Sequence, residues 1–149
     1  MPDVILKNLP FLLNGLRLTA EISLWSILGG TMLGLAIGIV RYLRIPILAQ
    51  LFAVYVGFVR GTPLLVMVFI CYFGLPALLA YKTSAYAAAV VGFILFIAAY
   101  LAEDIRTGLR SVQPGLVQAA LATVLTQIQT VRHVVLPIAM RNVIPALFN

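Results

Sequence analysis

The chain has 149 residues, of which 63% are hydrophobic and 9% are charged, and its formal net charge is +6. Because a soluble domain carries about 25% charged residues, this composition excludes a water-soluble globular protein and predicts one that lies in a lipid bilayer. The ten Lys and Arg residues form no basic run, so we interpret them as determinants of membrane orientation and not as a nucleic-acid site.

Residue counts narrow the chemistry further. Cys71 and His133 are the only residues of their kinds, so the chain can form no internal disulfide and no Cys/His metal cluster. Neither Lys7 nor Lys82 follows a glycine, which excludes a phosphate-binding P-loop within this sequence. The chain is therefore not expected to hydrolyse nucleotides by that route.

The N-terminal part of the chain predicts a lead-in followed by a first membrane span. Residues 1–21 mix apolar with charged residues and lack the pattern of a signal peptide, which predicts an uncleaved amphipathic lead-in. Residues 22–40 carry no charge and predict span one, because about 20 apolar residues cross a bilayer. Gly30, Gly34 and Gly38 recur every four residues and predict a face for close helix packing. The alternative is that glycine is simply common in membrane helices.

Residues 45–81 are too many for one straight span, since a continuous helix of that length measures about 55 Å against a hydrocarbon core of ~30 Å. The segment Arg60-Gly61-Thr62-Pro63 predicts a break, because proline removes a backbone donor and glycine lowers helix propensity. Either both halves span as a hairpin, or the first half is interfacial or oblique and only the second half forms span two. Arg60 and its neighbours then line a translocation path or mark the kink.

Residues 83–102 are uncharged and predict span three. With three spans and the N-terminus outside, six basic residues lie on the cytoplasmic side and three lie outside, whereas four spans place three inside and seven outside. The positive-inside rule favours three spans and a cytoplasmic C-terminal region. We predict an all-α, multi-pass membrane protein with one transmembrane domain over residues 1–149.

Residues 103–149 are predicted to form the cytoplasmic loop and the start of a further helix. Glu103 and Arg106 have helical spacing and predict an ion pair, which is either exposed and weak or holds the loop. Pro114 favours the start of a short helix, and residues 116–125 are too few to span and too apolar to remain solvated alone. We expect the bilayer surface, the rest of the chain or a partner's groove to cover this helix.

The spacing of residues in this loop resembles a known motif, E-A-A-x3-G-x9-I-x-L-P. The residues that occupy its positions are Gln118, Ala119, Ala120, Val124, Val134, Leu136 and Pro137. This spacing is similar to that of the coupling loop of ABC importer permeases. The segments R-G-T-P-L-L from Arg60 and F-G-L-P from Phe73 resemble the polar amino acid branch of that family (histidine, glutamine, glutamate and arginine types).

Two positions depart from the motif. Gln118 replaces its glutamate and keeps hydrogen-bonding capacity without the charge. Val124 replaces a glycine that provides the turn between two loop helices. Because a β-branched residue tolerates a positive φ poorly, either the turn is rebuilt or docking is weakened.

The resemblance implies the membrane-spanning permease subunit of an ATP-driven importer of polar amino acids in the bacterial inner membrane. Such a subunit is non-catalytic and binds no cofactor itself, since ATP and Mg belong to a dimer of ATPase subunits into which the coupling helix docks. The other implied partners are a second permease subunit, identical or related, and an external amino-acid-binding protein.

Family permeases continue for about two further spans. The sequence therefore predicts the N-terminal part of a type I importer permease fold, truncated at its C-terminus. The alternative is a structural or regulatory membrane fragment that does not transport.

Overall fold

The computed structural model of the chain describes residues 7–79, 82–123 and 125–147. Within these ranges the regular elements are helices, and the predicted all-α class is confirmed. The α-helices are α1 (Leu9–Tyr42), α2 (Leu48–Arg60), α3 (Leu64–Phe69), α4 (Leu75–Leu79), α5 (Ala85–Arg110), α6 (Pro114–Ala122), α7 (Gln127–Thr130) and α8 (Leu136–Leu147). Two π-helical segments are π1 (Ile70–Gly74) and π2 (Val131–Val135).

Helix α1 is longer than the predicted first span. It runs without interruption for 34 residues, so it joins the lead-in from Leu9 onwards to span one, and the predicted division at residue 21 is not a structural boundary. Pro10 lies in the first turn, where its missing N–H breaks no helical hydrogen bond. Arg17 Nε donates to the Glu21 carboxylate over 2.8 Å, which pairs two charges on one helix face. Residues 1–6 of the lead-in lie outside the described residues.

The chain bends sharply at the segment from Arg60 to Pro63. Helix α2 ends at Arg60, and the helices on either side of the break differ in direction by 114°. Gly61 and Thr62 donate backbone hydrogen bonds back into the last turn of α2, and Pro63 is extended with ψ of 142°. The break follows from the loss of a donor at proline and from the restriction that proline places on Thr62.

Helix α5 begins after Ser84, whose hydroxyl accepts a hydrogen bond from the backbone of the first turn. It continues to Arg110, well past the predicted end of span three at residue 102. Ile105 and Leu109 in this extension are 3% and 1% exposed, so apolar packing keeps the polar end of the helix folded. The first two turns of the predicted cytoplasmic segment therefore belong to α5.

Helices α1 and α5 pack side by side and run parallel. The pairs that face each other are Gly30 with Ile97, Gly34 with Ala98 and Gly38 with Ile105. Because the residue numbers of the facing pairs rise together, the two helices point in the same direction. The segment between them must therefore bring the chain back to the side where α1 began. Both helices are long and apolar enough to cross a membrane, and a third crossing exists if the bent pair around residue 61 counts as one span.

The returning segment runs along α5 in the opposite direction. Arg60 lies over the Tyr100 ring, and Val68 lies against Gly92. Between these two contacts the residue number rises from 60 to 68 in the returning segment and falls from 100 to 92 in α5, so α3 is antiparallel to α5. Helix α2 connects the C-terminal end of α1 to the start of this returning segment.

Each π-helical segment directly precedes a Leu-Pro dipeptide. Leu75-Pro76 follows π1 and Leu136-Pro137 follows π2. A proline lacks the N–H of a regular turn and crowds the carbonyl of the turn before it. A widened turn leaves room for the ring at both places.

Buried residues form two clusters. The first lies between α1, α2, α3, π1 and α5, and its buried members are Ile37, Val56, Val59, Met67, Cys71, Ala88, Ala99 and Ala102. The second joins the end of α5 to π2 and α8, and its buried members are Ile105, Leu109, Val112, Val135 and Ala139. The second cluster positions the loop described next.

Candidate functional site

The predicted coupling helix corresponds to α6 and lies on the surface. None of its residues is buried. Gln118 and Ala119 are exposed and Ala120 is half-buried. Leu116 and Leu121 are 45% and 41% exposed, so the helix presents apolar side chains that the described part of the chain leaves uncovered.

The inner side of α6 contacts α7 and π2 and faces the end of α1 across a cavity. Val117 and Leu121 line a cavity of about 200 Å³ together with Tyr42, Leu43 and Val131. Val117 also packs against the second buried cluster. The chain therefore holds α6 along one side and leaves the other free.

The turn that follows α6 is closed by a capping box. Thr126 Oγ1 accepts from the Gln129 backbone N–H over 3.3 Å, and Gln129 Oε1 accepts from the Thr126 backbone N–H over 2.9 Å. This pair was missed in the sequence, although the spacing T-x-x-Q before a helix is its signal. Val124, which replaces the motif glycine, lies outside the described residues.

The motif residues at the end of the loop lie beside the second buried cluster. Val135 and Ala139 are 0% and 2% exposed and pack with α5. Leu136 is half-buried against the same cluster, whereas Pro137 is exposed. The structure thus brings α6 and the Leu136-Pro137 pair to the same end of the helix bundle.

Glu103 binds two arginines from two helices. One carboxylate oxygen accepts from Arg106 Nη1 over 2.6 Å, and the other accepts from Arg41 Nη1 over 2.5 Å. The Arg41 side chain is 10% exposed and that of Glu103 is 21% exposed. Because each arginine neutralises a carboxylate that is partly removed from water, this cluster is stronger than an exposed pair.

The glycine stripe of α1 faces α5 throughout. A Cβ atom on Gly30 would lie 2.7 Å from Ile97 Cβ, and one on Gly38 would lie 2.9 Å from Ile105 Cγ2. On Gly34 it would lie 3.0 Å from the Ala98 carbonyl oxygen. Only a residue without a side chain permits this approach.

Arg60 lies at the kink and not with the loop residues. Its guanidinium carbon is 5.4 Å from the centre of the Tyr100 ring, and the Tyr100 hydroxyl donates to the Arg60 carbonyl over 3.5 Å. A cation–π contact of this kind contributes roughly 0.5–1 kcal/mol at an exposed site. These contacts fix the end of α2 against α5.

Cys71 and His133 lie in different environments, one buried and one exposed. Cys71 belongs to the first buried cluster, and His133 is exposed on π2. Among the described residues, no group of three or more His, Cys, Asp and Glu side chains is placed to hold a metal ion.

Comparison with known proteins gives consistent matches along the chain. Residues 7–149 match the family described as binding-protein-dependent transport system inner membrane component. The chain is 37% identical to the probable amino-acid ABC transporter permease protein PatM of Vibrio harveyi, covering 99% of this chain and 67% of that protein. It is 35% identical to the glutamine transport system permease protein GlnP of Escherichia coli, covering 99% and 68%.

A solved structure is similar as well. The chain superposes with a TM-score of 0.80 and 31% identity on a crystal structure of an amino acid ABC transporter with histidines, covering 97% of this chain and 67% of that one. The chain covers 63% of the probable amino-acid ABC transporter permease protein YckA of Bacillus subtilis, to which it is 38% identical. It therefore spans about two thirds of the length of its relatives.

Proposed function

Because the chain belongs to the family of binding-protein-dependent transport system inner membrane components, we propose that it serves as a permease subunit of an ATP-driven importer of polar amino acids. Relatives named as amino-acid and glutamine permeases support this substrate class. The spans contribute to the translocation path, and the subunit itself is non-catalytic. ATP and Mg are bound by a separate ATPase dimer.

The coupling role is assigned to α6. The observation that carries it is a short helix held on one side by Val117, which packs against the second buried cluster, with Gln118 and Ala119 exposed on the other. An ATPase groove that receives this face can move it only if the helix is anchored to the spans. The second buried cluster, against which Val117 packs, supplies that anchor, whereas the Glu103–Arg106 pair lies within α5.

The remaining partners follow from the family. A second permease subunit, identical or related, completes the path, and an external amino-acid-binding protein delivers the substrate. The family description, which names binding-protein-dependent transport, supports the second of these.

The proposed orientation has the N-terminus outside and the coupling loop in the cytoplasm. Arg41, Arg44, Arg106 and Arg110 lie at the end of α1 and α5 where the loop begins. An excess of arginine next to spanning helices favours the cytoplasmic side.

Co-purification with a co-expressed ATPase subunit of the importer tests the coupling role. Ala119→Asp places a charge on the exposed face of α6 and is expected to abolish association, as is Ala120→Asp. Ala85→Asp makes the same change at an exposed site at the start of α5, where a helix N-terminus tolerates an acid, and should leave association intact. Association that survives both loop changes would contradict the assignment of α6.

A further inference from the structure

A basic cavity of about 290 Å³ lies between the turn after α1, the start of α2 and the end of α5. Four arginines line it: Arg41, Arg44, Arg106 and Arg110. The polar amide of Gln50 and several short apolar side chains of α2 and the preceding turn complete its wall.

The charges in this cavity do not balance. Glu103 is the one carboxylate that pairs with its arginines in the described part of the chain, so four positive groups meet one negative group and the excess is three. Arg41 and Arg106 are held by Glu103, whereas Arg44 and Arg110 are exposed and bind no acceptor among the described residues. The two exposed guanidinium groups give the cavity an excess of positive charge that attracts anions.

The cavity lies at the level where the lipid core ends. The uncharged stretch of α1 stops at Val40, directly before Arg41, and that of α5 stops at Ala102, directly before Glu103. Since α1 and α5 are parallel, the two transitions fall at the same height. This is where phospholipid headgroups lie.

A separate apolar groove lies farther along α2. Leu51, Val54 and Phe58 are 61%, 72% and 58% exposed and line this groove together with Leu33 and Ile37 of α1. Arg44 adopts a φ of 52°, which is uncommon for a residue other than glycine, in the turn that borders the cavity. A ligand with a charged head and an apolar tail matches this combination.

We propose that the cavity binds the phosphate group of an anionic phospholipid, with the acyl chains along the exposed face of α2. Guanidinium groups match phosphate oxygens in geometry and charge. Basic pockets between membrane helices recognise acidic lipid headgroups. This inference requires only that α1 and α5 cross the bilayer, so it stands apart from the coupling role of α6.

The test uses the delipidated full chain in a neutral detergent, titrated with phosphatidylglycerol or phosphatidylcholine and followed by native mass spectrometry. The unchanged chain should retain phosphatidylglycerol selectively. Arg44→Gln with Arg110→Gln leaves the Glu103 cluster intact and should weaken retention about 25-fold, because each basic residue contributes roughly a factor of five near an anionic lipid. Arg132→Gln with Arg141→Gln removes the same charge from exposed sites outside the cavity and should retain the lipid.

Equal retention by both double variants, or equal loss in both, would overturn a specific site. Circular dichroism of each variant checks that its helices remain folded. Inorganic phosphate is added in a separate arm. If it binds in an arginine-dependent way while phosphatidylglycerol shows no preference over phosphatidylcholine, the ligand is a soluble anion and the lipid assignment is wrong.

Discussion

Arg41 and Glu103 lie 62 residues apart in the sequence, yet Arg41 Nη1 donates to a Glu103 carboxylate oxygen over 2.5 Å. The contact joins the last turn of α1 to a residue about two turns before the end of α5, next to the Gly38–Ile105 contact. The close approach of the two helices therefore ends in a charged clamp. Glu103 also holds Arg106, so one carboxylate fixes two guanidinium groups.

Replacing Glu103 with glutamine should remove the negative charge that binds Arg41 and Arg106 while keeping the size of the side chain. We expect the free energy of unfolding to fall by about 2 kcal/mol, since hydrogen bonds to charged groups contribute about 1.5–3 kcal/mol. Unfolding in mixed detergent micelles measures the change. Glu21→Gln is the control, because the Arg17–Glu21 side chains are 76% and 41% exposed. It should cost less than about 0.5 kcal/mol, and equal losses would show that the clamp has no special strength.

Gly34→Ala should separate α1 from α5. The new Cβ would meet the Ala98 carbonyl oxygen at 3.0 Å and Ala98 Cα at 3.2 Å, and backbone atoms cannot rotate away. We expect a loss of about 1–3 kcal/mol in the free energy of unfolding from overpacking. Gly15→Ala in the same helix has nothing within 4 Å and should be neutral or stabilising. A neutral Gly34→Ala would refute the close contact.

Thr126→Val should open the turn that follows α6. It removes the acceptor of the capping box, which contributes about 1 kcal/mol, so amide exchange over residues 127–130 should accelerate about fivefold. Hydrogen–deuterium exchange measures this rate. Thr126→Ser keeps the hydroxyl and should exchange like the unchanged chain. If serine and valine variants behave alike, the capping box does not stabilise the turn.

Cysteine labelling should reveal the two ends of α5 on opposite sides of the membrane. Lys82 and Gln113 flank this helix and are exposed. In a Cys71→Ser background, an impermeant maleimide should label Lys82→Cys in intact spheroplasts and Gln113→Cys only after permeabilisation. The reverse pattern would invert the proposed orientation. Labelling of both from one side would mean that α5 does not cross.

Part of this architecture was predictable from the sequence because it depends on local chemistry. Uncharged stretches of about 20 residues identify helices that cross a bilayer, and Pro63 limits α2 whatever surrounds it. The motif spacing indicated the family, and the match over residues 7–149 confirms it. These features need no knowledge of distant contacts.

Other features depend on contacts between distant residues. Nothing near Arg41 in the sequence points to Glu103, since only the parallel packing of α1 and α5 brings them together. The sequence predicted a charged lead-in up to residue 21 before span one, whereas α1 runs through this position as one helix on which Arg17 and Glu21 pair. The capping box at Thr126 is an exception, because its signal, T-x-x-Q before a helix, is local and was readable from the sequence.

The glycine stripe has a mechanical consequence. At the glycine stripe the backbone of α1 packs directly against α5, with no long side chains between them. Such close packing resists sliding, so the two helices tilt together as one rigid unit. The arginine cluster around Glu103 lies toward one end of this helix pair. Under the proposed coupling role of α6, a movement of α6 would tilt α1 and α5 together, and the chain would flex at the bend near Gly61.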